Sequence, residues 1–270
     1  MSTTEIHQGS NGSLPPSGTF RAWEYADGRF SEMDVNLSME YSVTLSINGS
    51  PFIIIACSGS EMREMAVGHL LSEGIISEAE DIRAVTFDTD SLILNVETDL
   101  NDRILERMLR IRRLPSGCGQ GIAGEDVPVR NVTGKTAIAV PTVLSMMREF
   151  LQHSTLHRLT HGVHSAALFT ADGRRLSFFD EIGRHNAIDK VLGHALLNGI
   201  DLSDKIVAST GRVASEIILK LINASVPAII SRASPTSLSR ELAIRHGVVM
   251  IGRVRASSCT VFNGIGTVTP

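Results

Sequence analysis

The eleven residues Asp180-Glu181-Ile182-Gly183-Arg184-His185-Asn186-Ala187-Ile188-Asp189-Lys190 include eight that are charged, amide, imidazole or glycine. They stand between an apolar strand-like run, Leu176 to Phe179, and an apolar helical run, Val191 to Leu197. A helix that opens this way offers free backbone N–H groups, together with Arg184, His185 and Asn186, to whatever lies at the sheet edge. The competing reading is a charged, solvated first turn with an Asp189/Lys190 pair. His185 and Asp189 are at i,i+4 spacing, so Asp189 either orients the imidazole or forms a purely structural pair with it.

Cys118 is the candidate nucleophile. It lies in Leu114-Pro115-Ser116-Gly117-Cys118-Gly119-Gln120-Gly121, a segment whose Pro and Gly content allows only a loop. Five arginines precede it between Arg103 and Arg113. Neighbouring positive charge favours thiolate over thiol, and a thiolate is what sulfur transfer requires. A small loop residue without a role is the alternative. Cys57 and Cys259 lie in or beside apolar strands and read as structural, since free cysteine is among the most buried residue types. His161 and His164 form an H-x-x-H, but on a strand edge they would not share a face, and no third ligand is apparent, so no metal site is read here.

These residues need elements to hold them. Tyr41–Ile47 and Phe52–Cys57 flank Asn48-Gly49-Ser50-Pro51 and predict a hairpin. Ser58-Gly59-Ser60-Glu61 fits a capping box for a helix that stops at Gly74. Strands follow at Ile82–Phe87 and Leu92–Val96. Thr142 opens a helix with Val143, Met146, Met147, Phe150 and Leu151 on one face. Ser165–Thr170 and Arg175–Phe179 form a hairpin through Asp172-Gly173. Helices near 184–198, 213–224 and 236–246 then alternate with strands at 205–209, 226–230 and 248–252, and a last strand lies near 259–262. The alternation predicts a sheet with parallel pairs and helices on both faces. Ligands of such sheets bind at the carboxyl ends of strands, where Ser209-Thr210-Gly211-Arg212, Ser231-Arg232 and Gly252-Arg253-Val254-Arg255 fall.

The 270 residues suffice for a large core. Residues 1–18 read as a disordered tail, 19–113 as an N-terminal α+β domain, 114–134 as a cysteine-bearing linker, and 135–270 as an α/β domain. A net charge of −4 argues against nucleic-acid binding. No apolar run approaches the ~18–20 residues that membrane insertion needs. Three cysteines without a secretion signal point to the cytoplasm.

Five motifs carry a resemblance. They are His161-Gly162-Val163-His164-Ser165-Ala166-Ala167-Leu168, the Asp180–Lys190 stretch, Gly211-Arg212, Ser231-Arg232-Ala233-Ser234-Pro235-Thr236-Ser237, and Gly252-Arg253-Val254-Arg255. In order and spacing they resemble the formate dehydrogenase accessory sulfurtransferase family (FdhD), from about Tyr41 to the end. The resemblance implies a cytidine-deaminase-like three-layer α/β domain with a mixed sheet, beside the smaller α+β domain, and a homodimer. It also implies a sulfur carrier that takes sulfur from a cysteine desulfurase onto Cys118. The sulfur passes to the molybdenum bis(molybdopterin guanine dinucleotide) cofactor before insertion into apo-formate dehydrogenase, with GDP as a mimic of that cofactor. The family's loop pattern, S-S-C-G-x-C-G, has a second cysteine where this chain has Gly121. A single-cysteine loop can hold a persulfide but cannot resolve it as a disulfide. The alternative is therefore a cofactor-binding chaperone that has lost sulfur transfer. The family's cofactor segment falls on Arg253, Val254, Arg255, Ala256, Ser257 and Ser258. Arg255 matches its pattern, whereas Ser257 and Ser258 replace Gly and Arg. A zinc hydrolase of the deaminase kind lacks its H-x-E and P-C-x-x-C motifs here.

Overall fold

The structure is a computed structural model that describes residues 7–99, 132 and 137–270. Its N-terminal elements are β1 (His7–Asn11), β2 (Ser17–Ala26), β3 (Arg29–Ser38), β4 (Tyr41–Ile47), β5 (Ser50–Cys57), α1 (Met62–Ser72), β6 (Ile82–Asp88) and β7 (Ile93–Thr98). After them come β8 (Ile138–Ala139), α2 (Val140–His153), α3 (Thr155–Thr160), β9 (His164–Phe169), β10 (Arg175–Glu181) and α4 (Arg184–Leu197). The last are β11 (Ile206–Ser209), α5 (Ser215–Asn223), β12 (Ala228–Ser231), α6 (Ser237–His246), β13 (Val249–Gly252), β14 (Thr260–Asn263) and β15 (Val268–Thr269).

The larger sheet has the order β10-β9-β11-β12-β13-β14. Its centre, β11-β12-β13, is parallel, and β9, β10 and β14 add antiparallel pairs. The pleat sorts its side chains between two layers. Ala166, Leu168, Val207, Ile229 and Met250 face the layer of α4, α5 and α6. Ala167, Phe169, Ala208, Ile230 and Ile251 face α2 through Val143, Met146, Met147 and Phe150. The expected apolar stripe of α2 is therefore right except at its end: Leu151 is 40% exposed. The helix also starts two residues early, at Val140, because Pro141 suits a first turn whose N–H groups have no intrahelical partner.

The smaller sheet runs β1-β6-β7-β4-β5. Asn48 and Gly49 both take positive φ (50° and 77°), as a two-residue hairpin turn requires. Gly74 (φ 70°) ends α1 as expected. The capping box does not form: Glu61 is the N-cap, with no side-chain cap bond. Ser58 and Ser60 spend their hydroxyls elsewhere, as described below. Where composition suggested a tail, β1 runs parallel to β6. Further along, Leu14 N–H donates to Gly59 O at 2.9 Å and the Tyr41 hydroxyl to Pro15 O at 3.1 Å. These backbone and side-chain bonds hold residues that have little apolar surface of their own.

The two sheets share one buried core through α1 and α4. These helices touch backbone to backbone. A Cβ on Gly68 would stand 1.7 Å from Asp189 O, and one on Gly193 would stand 1.9 Å from Glu64 O. Only glycine lets the axes come this close. The helix of residues 155–160, which the sequence did not suggest, is α3. Ser154 caps it by accepting the His157 N–H, and His161 ends it at φ 53°.

Candidate functional site

A cleft of about 870 Å³ opens beside the carboxyl ends of β11 and β12 and the start of β9. Helix α2 lends one wall through Leu144, Met147, Arg148, Leu151 and Gln152. Helix α3 and the turn after it supply His157, His161, Gly162 and Val163. His164, Ser165, Thr210 and Arg232 come from strand ends, and Arg255 and Ala256 from the loop after β13. The floor is apolar and the rim carries three guanidinium groups and three imidazoles. Such a site suits a ligand with an apolar or planar body and anionic groups.

Local bonds fix the rim. Asp180 accepts hydrogen bonds from Ser154 Oγ (2.7 Å) and Ser165 Oγ (2.6 Å), which joins α3 to β9. His157 Nδ1 lies 3.3 Å from Val163 O, and its ring is 5.7 Å from that of His161. Arg255 Nη1 donates to Arg232 O at 2.7 Å and to Val254 O at 3.0 Å. His164 is half-buried. Burial pushes its pKa down, and the Arg184 and His157 charges push the same way, so the imidazole is neutral at neutral pH.

The expected cofactor segment splits. Arg255 and Ala256 line the cleft. Arg253 turns away, with Nε donating to Ser234 Oγ at 2.9 Å and its guanidinium over the Phe262 ring. The Val254 side chain is fully buried in the core. Ser257 and Ser258 are exposed and lie outside the cleft wall. Cys118 lies outside the described residues. Cys57 is buried, which raises its thiol pKa to about 11 despite the Gly59 backbone hydrogen bond. Burial also raises the pKa of Cys259.

The Asp180–Lys190 stretch is not a solvated turn: Glu181, Asp189 and Lys190, near its two ends, are buried. Lys190 has no exposed side-chain surface, and Asp189 has only 1%. Lys190 Nζ is 2.7 Å from Glu181 Oε2, and it also reaches Ser58, Ser60 and Glu61. Glu181 in turn accepts the Ser58 N–H and Oγ–H, both at 2.8 Å. Asp189 does not orient His185. It bonds Lys220 Nζ (2.9 Å), Ser72 Oγ (2.8 Å) and His69 Nδ1 (3.2 Å). Burial pushes the Asp189 carboxyl up, but the Lys220 ammonium and the His69 hydrogen bond outweigh it and hold the pKa at about 2. His185 lies beside Glu216 instead, Nε2 3.1 Å from Oε2, and burial pushes its imidazole pKa down.

The sequence reading missed Arg148, Gln152 and His157. A signal existed for two of them. Leu144, Arg148, Leu151 and Gln152 recur at helical spacing and form a second stripe on α2, beside the core stripe. His157 had none, because α3 is only six residues long.

The same architecture occurs in a crystal structure from Desulfotalea psychrophila described as a formate dehydrogenase accessory protein. The TM-score is 0.77 and the identity 27%, over 94% of this chain and 100% of that one. The mixed α/β fold with its mixed sheets is thus the fold of that class of protein. The chain belongs to the FdhD/NarQ family, whose pattern matches residues 38–269. Among its relatives are two proteins named sulfur carrier protein FdhD. That of Bacillus subtilis is 32% identical over 244 residues, covering 89% of this chain and 93% of the relative. That of Wolinella succinogenes is 32% identical over 240 residues, covering 88% and 83%.

Proposed function

We propose that this protein is a sulfur carrier required for formate dehydrogenase activity. A cysteine desulfurase loads Cys118. The thiolate attacks the outer sulfur of the donor persulfide, a new S–S bond forms, and the donor cysteine leaves as its thiolate. The carried sulfur is delivered to the molybdenum bis(molybdopterin guanine dinucleotide), here a substrate, before insertion into apo-formate dehydrogenase. The observation that carries this reading is the cleft, where Arg148, Arg232 and Arg255 stand beside an apolar floor. Guanidinium groups pair with phosphate oxygens, and the floor suits a pterin or guanine face. The six-stranded mixed sheet with helices on both faces supports a cytidine-deaminase-like description of this half. A homodimer in the cytoplasm completes the proposal.

Gly121 favours a second reading, a cofactor-binding chaperone without sulfur transfer. Intact-mass measurement after incubation with desulfurase and cysteine separates the two. The carrier gains one sulfur, roughly 32 Da, that reductant removes and Cys118→Ala abolishes. If no adduct forms while Cys118→Ala still activates formate dehydrogenase in cells, the chaperone reading replaces the carrier.

A further inference from the structure

Thr210 directly follows β11, beside the start of β9, and its hydroxyl has two neighbours. The Ser165 backbone N–H donates to Thr210 Oγ1 at 3.0 Å. His164 Nδ1 lies 3.2 Å from the same oxygen. The Ser165 N–H must be the donor in the first contact, so the Thr210 proton is free for the second. His164 Nδ1 is the acceptor that faces it. Were Nδ1 protonated instead, Thr210 Oγ1 would accept two bonds and its own proton would be left to the solvent of the cleft, exchanging a fixed acceptor for a mobile one.

We propose that Thr210 is a positioning residue that fixes His164 as the Nε2–H tautomer. The start of β9 then presents a neutral N–H donor to an acceptor oxygen of the ligand, a carbonyl or phosphate. This complements the charged arginines: a neutral donor reads geometry without adding to the charge. The pairing also links two strand ends, since Thr210 N–H donates to Ser165 O at 3.1 Å. The choice of ligand rests on the cleft being the cofactor site, whereas the tautomer does not.

Nitrogen-15 NMR of histidine-labelled full-length protein at neutral pH reads the tautomer without ligand, with His164→Gln assigning the signal. In the natural chain, His164 Nδ1 should resonate as an unprotonated ring nitrogen and Nε2 as a protonated one. Thr210→Val should collapse this to a mixture, and Thr210→Ser should restore it. A protonated Nδ1 in the natural chain overturns the proposal. So does a pattern unchanged in Thr210→Val. Should the valine variant not fold, the natural spectrum and the serine variant still decide. GDP titration is the separate arm. Thr210→Val should weaken GDP by about three- to tenfold, the worth of one oriented hydrogen bond. Absence of GDP binding by the natural protein, with the tautomer as assigned, counts against the cleft as a nucleotide site and leaves the Thr210–His164 assignment standing.

Discussion

Lys190 Nζ lies 2.7 Å from a Glu181 carboxylate oxygen, and neither side chain has exposed surface. Glu181 also holds Ser58, 123 residues away, and Lys190 donates to the Asp180 carbonyl at 3.3 Å. Asp180 in turn anchors the serines of the cleft wall. The ion pair therefore pins the segment after β5 to the strand that supports the cleft. Removing one partner strands a charge in the interior. Lys190→Met should lose about 3–5 kcal/mol in urea unfolding. The double variant Lys190→Met/Glu181→Gln should recover part of it; equal loss in both would mean that packing, not charge, sets the cost.

The α1–α4 crossing makes a sterically simple prediction. Gly68→Ala and Gly193→Ala should each lose more than about 3 kcal/mol or fail to accumulate as folded protein, because each Cβ meets a backbone carbonyl rather than a side chain that could move. Gly266→Ala, with open space at its Cβ, should stay within about 0.5 kcal/mol. Thermal melts by circular dichroism compare the three.

Asp189 predicts an acid limb of stability. Its folded pKa, about 2, is below the ordinary 3.8. The unfolded state therefore binds the proton more readily, and the stabilisation is fully present above pH 4. It is lost as pH falls from about 4 to 2, to the extent of about 2 kcal/mol. Denaturant midpoints across pH 2–6 should show this slope, and Asp189→Asn should flatten it on a lower baseline.

Thiol reactivity should follow burial. With its pKa near 11, Cys57 carries on the order of one thiolate per thousand molecules at pH 8. Peptide mapping after brief iodoacetamide treatment should find Cys118 alkylated first and Cys57 last. Fast modification of Cys57 in the folded protein would contradict the buried thiol.

The arginines should divide by position. Arg232→Ala and Arg255→Ala line the cleft and should each weaken GDP about tenfold or more, as loss of a charge-assisted hydrogen bond does. Arg253→Ala, which removes a group packed on Phe262, should change affinity less than about twofold. Calorimetry with GDP, and with ADP as the comparison, reads this order. Equal effects from all three would place the nucleotide elsewhere.

Local rules made much of the fold legible. Asn48-Gly49 announced a turn, Gly74 a helix end, and the alternating runs from Ile206 to Gly252 a sheet wound with helices. Each depends on neighbours within a few residues, where backbone conformation and side-chain period are decided. The motifs also placed polar groups at strand ends, and Thr210, Arg232 and Arg255 do line the cleft there. What the sequence left open was which groups share a partner. His185 and Asp189 are four residues apart, yet Asp189 faces His69 and Lys220, and His185 faces Glu216. Ser58 looked like a helix cap and became a ligand of Glu181. A charge removed from water takes whatever partner the packed helices and strands bring within about 3 Å, and spacing along the chain does not encode that meeting. The backbone menu of this protein was thus settled by its local sequence. The division of its polar residues between holding the core and facing the cleft was settled only when α1 closed on α4.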